Sequence, residues 1–165
     1  MNLITVFTPT YNRAYLLPRL YQSLKAQTVT NFEWLIVDDG STDDTQQVIQ
    51  RWAEQENEFS IRYTRVENGG KHRAINLGVQ LARGELFFIV DSDDALAPNA
   101  MERINFWRDS IQGLSEFAGV SGTCITFEGK AVGTTISGEF VDATVLQWGE
   151  LGISGDKAEV YYTDI

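Results

Sequence analysis

The sequence predicts an α/β domain of three layers, α/β/α, built on a mainly parallel sheet. Two observations carry that prediction. Compact apolar runs alternate with segments of helical period, and the loops between them are short. The runs also stop abruptly in polar loops rich in Asp, Asn and Gly, most clearly at Glu85–Asp94, where Leu86 to Val90 leads straight into Asp91, Asp93 and Asp94. In open sheets of this class, ligands gather outside the carboxyl ends of the strands.

Taken in order, Leu3–Thr8 is a β-branched run and the first strand, stopped by Pro9, with Pro9–Arg13 as its loop. The helix that follows tolerates Pro18 in its first turn and lines one face with Leu17, Leu20, Tyr21 and Leu24. Phe32–Val37 is the second strand, ending in Asp38–Asp43. Ser41 is expected to cap the second helix, with Asp43 and Asp44 in its first turn and Val48, Ile49, Trp52 and Ala53 on its buried side. Ser60–Val66 alternates and reads as a third strand nearer the sheet edge. Lys71–Arg83 is the third helix, buried through Ala74, Gly78, Leu81 and Ala82, with Gly84 as its C-terminal stop. A strand buried on both faces then supplies the Asp91–Asp94 turn, and Pro98 opens a fourth helix carrying Met101, Ile104, Trp107 and Ile111. Beyond Gly113 the pattern weakens. Gly122–Phe127 and Lys130–Ser137 are expected as short strands around a Glu128-Gly129 turn, Thr144–Leu151 as a helical turn, and Ile153–Ile165 as a weakly patterned tail.

The 165 residues fit one domain with a real core, and 43% hydrophobic with 22% charged residues is ordinary for a soluble globular protein. With 23 acidic against 13 basic residues the formal net charge is −10, which argues against a nucleic-acid binder. The single cysteine, Cys124, excludes an internal disulfide and reads as a small buried hydrophobe. No secretory signal opens the chain and no apolar run reaches the roughly 20 residues a membrane helix needs, so the expected compartment is the cytoplasm.

The topology brings four loops to one edge of the sheet: Pro9–Arg13, Asp38–Asp43, Asn68–Arg73 and Asp91–Asp94. Tyr11 offers a flat face for a base. Asp38 or Asp39 can accept hydrogen bonds from a base N–H or a ribose hydroxyl. Gly69-Gly70 permits close backbone approach, and the helix N-terminus after it favours an anion, with Lys71 and Arg73 adding positive charge. Crowded carboxylates repel unless a cation holds them, so Asp91 and Asp93 suit Mg²⁺ or Mn²⁺ bridged to phosphates. The sum is a nucleotide-diphosphate site whose charge is balanced by metal. His72, the one histidine, is a weak candidate base.

Those same segments resemble a family. TPTYNR at 8–13, VDDGSTDDT at 37–45, NGGKHRAINLG at 68–78 and FIVDSDD at 88–94 are similar, in order and spacing over about residues 3–110, to family 2 glycosyltransferases of the GT-A fold. The resemblance implies transfer of a sugar from a nucleotide-sugar donor, often UDP-linked, to a hydroxyl, with inversion and with Mn²⁺ or Mg²⁺. It implies uridine contacts at Pro9 and Tyr11, a base contact at Asp39 with Asp38 beside it, and nucleotide contacts at Arg13 and Lys71. It also implies a DxD motif at Asp91-Ser92-Asp93, with Asp93 on the metal and Asp91 nearer ribose or a metal-bound water. Within one domain spanning 1–165, residues 1–112 correspond to the donor-binding half and 113–165 to the start of an acceptor half that is cut short. The general base of such enzymes lies in that half and is expected beyond Ile165; Asp142, Glu150 and Asp156 stand in only by default, Asp156 first. A saccharide or lipid-linked saccharide acceptor and peripheral association with the inner membrane face are family-level expectations. A nucleotide-sugar-binding module without turnover is the alternative. A nucleotidyltransferase would want a glycine-rich first loop, and a receiver domain would carry its acidic pair after the first strand; the chain has neither.

Overall fold

The computed structural model describes residues 4–136 and 140–164; Leu3, Ser137 and Ile165, each placed in an element by sequence, lie outside the described residues. Among the described residues six strands form one sheet: β1 (Ile4–Thr10), β2 (Phe32–Asp38), β3 (Ser60–Arg65), β4 (Leu86–Ile89), β5 (Gly119–Thr123) and β6 (Lys157–Tyr162), in the order β3-β2-β1-β4-β6-β5. The pairs β1–β2, β1–β4 and β2–β3 are parallel, and β4–β6 is antiparallel. The helices are α1 (Leu17–Lys25), α2 (Thr45–Ala53), α3 (Lys71–Leu81) and α4 (Ala100–Ser110).

Side chains alternate across each strand, so β1 and β2 feed two cores. On one face Phe7, Leu35, Val37 and Phe87 pack with Ala74 of α3, and the Phe7 and Phe87 rings stack at 5.0 Å. On the other, Trp34 lies by Tyr21 of α1 and Trp52 of α2, ring centroids 6.1 and 6.0 Å away, while Tyr21 and Trp52 stack at 4.5 Å. Each such large apolar side chain stabilises by roughly 1.5–3 kcal/mol on burial. The start of α4 is tied to the end of α1 through Gln27, whose amide donates to the Ala97 carbonyl (2.8 Å) and accepts from the Met101 N–H (3.1 Å). The mixed, helix-flanked sheet is the expected architecture, and β3 is its edge.

Several local expectations are corrected. Pro9 does not stop β1, which continues in register to the Thr10–Asp38 pair. Phe7 O accepts from Val90 N, so Pro9 also faces β4, and ladder pairing with β4 has ended at Phe7–Ile89; its missing N–H costs nothing there. Ser41 does not cap α2: its hydroxyl accepts from Asn12 N (2.8 Å), and Asp43 instead accepts from Thr45 N (3.0 Å). Ala53 is exposed because α2 is ending there. Gly84 is not a helix stop, since α3 has already ended at Leu81; a Cβ at Gly84 would collide with the backbone of Ile4 and Thr5. Its glycine is required by close approach to β1.

The chain divides into two compact units, residues 1–120 with 160–165, and residues 121–159. In the second unit the expected hairpin shrinks to one antiparallel bridge, Ile125–Ala131, closed over Gly129 at φ 80°. The strand placed at Gly122–Phe127 lies earlier, as β5. The helical turn at Thr144–Leu151 is a single 3-10 turn, Val145–Gln147. Cys124 is half-buried rather than buried. The weakly patterned tail contains β6.

Candidate functional site

The carboxyl ends of β1, β2 and β4 and the N-terminus of α3 surround a cavity of about 270 Å³ lined by Pro9, Thr10, Tyr11, Arg13, Asp39, Lys71, Ala74, Asp91, Ser92 and Asp93. Of the site residues expected from the sequence, Pro9, Tyr11, Arg13, Asp39, Lys71, Asp91, Ser92 and Asp93 line it, whereas Asp38, Arg73, Asp142, Glu150 and Asp156 do not. Tyr11 keeps 47% of its surface exposed, so a ring face remains available. Arg13 is steadied by its guanidinium donating to the Tyr15 hydroxyl (3.3 Å).

The first two loops are laced together. Asn12 sits at φ 53°, a left-handed conformation that Asn tolerates better than most residues. There its side-chain oxygen accepts from Thr42 N (2.7 Å) and Asp43 N (3.3 Å). In return Ala14 N donates to Asp43 (3.1 Å) and Arg13 N to the Thr45 hydroxyl (3.2 Å). Partial burial alone would raise the Asp43 carboxyl, but its hydrogen bonds from Thr45 and Ala14 outweigh that and hold it below the usual range.

Asp38 and Asp39 face different ways, as neighbours on a strand must. Asp38 is fully buried: one oxygen accepts from Ser41 N (2.8 Å), the other from the Tyr63 hydroxyl (2.6 Å), with Arg65 3.9 Å away. Burial, and then that bond to Asp38, push the Tyr63 phenol well up. Asp39, 5% exposed, accepts from Gly69 N and Gly70 N, each at 2.8 Å, one on each oxygen. It thereby pins the turn into α3, where Gly70 adopts φ 95°, a value that favours glycine. Each Asp39 oxygen retains acceptor capacity toward the cavity.

At the β4 end, Lys71 Nζ lies 2.7 Å from both oxygens of Asp91. Arg19 of α1 donates to the Asp93 main-chain carbonyl. Burial, then the charges of Asp91 and Asp93, raise the Asp94 carboxyl, with Arg19 opposing. Among the described residues no three His, Cys, Asp or Glu side chains form a ready-made metal cluster. Two carboxylates bordering an open cavity nevertheless suit a hard cation, since Mg²⁺-type ions take one or two protein carboxylates and complete their shell with phosphate and water. Asp94 does not line the cavity, and neither does His72.

Four contributors escaped sequence reasoning: Thr10 and Ala74 in the lining, Asn12 as the loop clasp, and Arg19 on the acidic turn. Asn12 carried a signal, a turn-forming residue directly after a strand. Arg19 carried none, because its partner is 74 residues away.

Comparison with known proteins places this geometry. Residues 5–105 match the model of glycosyl transferase family 2. The glycosyltransferase GlyG of Streptococcus pneumoniae is 38% identical over 103 residues, covering 62% of this chain and 34% of that protein. The chondroitin synthase of Escherichia coli is 38% identical over 100 residues, 61% of this chain and 14% of that one. The chain thus spans about a third of the first relative and about a seventh of the second. Among solved structures, Staphylococcus aureus TarS in complex with UDP-GlcNAc superposes with a TM-score of 0.69 at 22% identity, over 97% of this chain and 45% of that one. The Pyrobaculum calidifontis mannosyltransferase PcManGT, in complex with GDP-Man and Mn²⁺, gives 0.60 at 27% identity, over 74% and 35%. On its matching segment, sheet and strand-end loops, this chain belongs to glycosyl transferase family 2.

Proposed function

We propose that this chain binds a nucleoside-diphosphate sugar, UDP-linked, as the donor part of an inverting, metal-assisted glycosyltransferase. The observation that carries the reading is that Tyr11, Asp39, Lys71, Asp91 and Asp93 border one cavity. The donor complexes of TarS and PcManGT, the second with Mn²⁺, lend it support.

Tyr11 stacks on the base and Asp39, fixed by Gly69 and Gly70, accepts a base N–H. Asp91 and Asp93 would hold Mn²⁺ or Mg²⁺. When bound, that cation stabilises negative charge on the leaving diphosphate as a Lewis acid. Lys71 exchanges its bond to Asp91 for one to phosphate, at the N-terminus of α3, which itself favours an anion. The reaction is one displacement: the acceptor oxygen bonds to the anomeric carbon, the bond from that carbon to the diphosphate oxygen breaks, and the hydroxyl proton passes to a base. Asp156, exposed in the second unit, is the default candidate for that base. The acceptor is a saccharide or lipid-linked saccharide, met in the cytoplasm at the inner membrane face. No helix among the described residues is long and apolar enough to cross a membrane. Residues 1–112 serve the donor and 113–165 begin the acceptor side.

Calorimetric titration with UDP, with and without Mn²⁺, tests the reading. Mn²⁺ should tighten UDP binding by roughly tenfold or more in the natural protein and leave the Asp93→Ala variant unaffected, with the melting temperature unchanged. An intact Mn²⁺ effect in that variant refutes the metal assignment. UDP binding without release of sugar from any donor would favour a binding module instead.

A further inference from the structure

We propose that Thr10 is a further nucleoside-positioning residue, its hydroxyl engaged by the bound nucleotide rather than by the protein. This rests on the nucleotide reading of the cavity. Thr10 sits between Pro9 and Tyr11, lines the cavity and is 3% exposed. Its Oγ1 is fully buried and finds no hydrogen-bond partner. The other buried threonine hydroxyls on β1 are spent: Thr8 accepts from Trp34 Nε1 (3.0 Å), and Thr5 donates to Glu33 (2.7 Å) and accepts from Gly84 N (2.9 Å). An orphaned buried hydroxyl is costly, and native structures retain few of them without a reason.

The main chain around Thr10 is fixed, because its carbonyl accepts from Asp39 N (2.8 Å). Only χ1 is free to answer a ligand. One step of about 120° between staggered rotamers moves the hydroxyl into the place that the methyl or the Cβ hydrogen held, from which it offers the cavity a group that both donates and accepts. Thr10 is bonded to Asp39 and adjoins Tyr11, so the part of the ligand it meets is the nucleoside, not the diphosphate. A valine there would keep the shape and the packing while removing the orphan.

The experiment compares the natural chain with Thr10→Val and Thr10→Ser, by calorimetry with UMP and with UDP plus Mn²⁺, and by melting of the unliganded proteins. Thr10→Val should weaken UMP and UDP by the same factor, roughly tenfold, while its unliganded melting temperature stays equal or rises. Thr10→Ser should bind within about twofold of the natural chain. Unchanged nucleotide affinity in Thr10→Val overturns the proposal, as does a lowered melting temperature, which would mean the hydroxyl is already bonded in the free protein. Weakening of UDP alone overturns the nucleoside assignment. If the natural chain binds neither nucleotide, the reading of the cavity falls and the role of Thr10 with it.

Discussion

Two strands of this sheet end in clustered aspartates, and the two clusters are used in opposite ways. At the end of β2 three of the acids are hydrogen-bonded within the protein. Asp38 is bonded to Ser41 and Tyr63, Asp39 to Gly69 and Gly70, and Asp43 to Thr45 and Ala14. At the end of β4, Asp91 and Asp93 line the cavity, with Lys71 on Asp91 and Arg19 on the turn. The pKa directions follow: Asp43 is held low by hydrogen bonds, and Asp94 is pushed up by burial and like charge. The same residue type thus builds the frame in one loop and, in the other, leaves two carboxylates at the cavity wall.

Substitutions can break that contrast. The largest effect is expected from Asp38→Ala, which leaves Tyr63 and the Ser41 amide unpaired in the interior and should cost about 3 kcal/mol in urea denaturation. Asp39→Ala orphans two backbone amides, should cost about 2 kcal/mol, and should weaken UMP and UDP alike in calorimetry. Weakening of UDP alone would move Asp39 to the metal end. For Asp43→Ala the cost should be about 1 kcal/mol at neutral pH. Because the folded carboxyl of Asp43 is depressed, its stabilisation is present above the unfolded value of about 3.9 and is lost as pH falls through the lower folded value. The difference between the natural and variant proteins should therefore close on acidification below about pH 4, read by melting temperature as a function of pH. Asp91→Ala should change stability by less than about 0.5 kcal/mol, since its partner Lys71 is more than half exposed. If Asp91→Ala proved as destabilising as Asp38→Ala, the division between the two strand ends would be wrong.

Much of this was legible in the sequence, because the signals were local. An apolar run followed at once by acids marks a strand and its carboxyl end, and that pattern located the loops around the cavity. The division of labour inside those loops was not legible. Asp38 and Asp39 are adjacent and chemically identical, and only the pleat decides that one turns inward to Tyr63 and the other toward Gly69 and Gly70. Gly84 after a helix looked like a stop signal, yet the cause is the passing backbone of Thr5, which is distant in sequence. Thr10 read as one residue of the loop after the first strand; its burial without a partner is a property of the assembled interior. The strand β6 had little pattern of its own because it is defined by the edge it joins.

That last strand has a kinetic meaning. Residues 86–88 of β4 pair with residues 160–162 of β6, a closure across more than seventy intervening positions. The pairings of β1 with β2 and of β2 with β3 join segments that follow one another directly in the chain. Long closures pay more entropy before any contact rewards them, and the pairing of β1 with β4, residues 4–7 with 86–89, is as remote, so β4 and β6 both join the sheet at a higher entropic cost than β2 and β3. Without β6, Leu86, Phe87 and Phe88 would form an uncovered apolar edge, the kind of template on which chains pair with one another. The sixth strand therefore shields the fourth from other chains, and it does so on the strand that carries the Asp91–Asp94 turn.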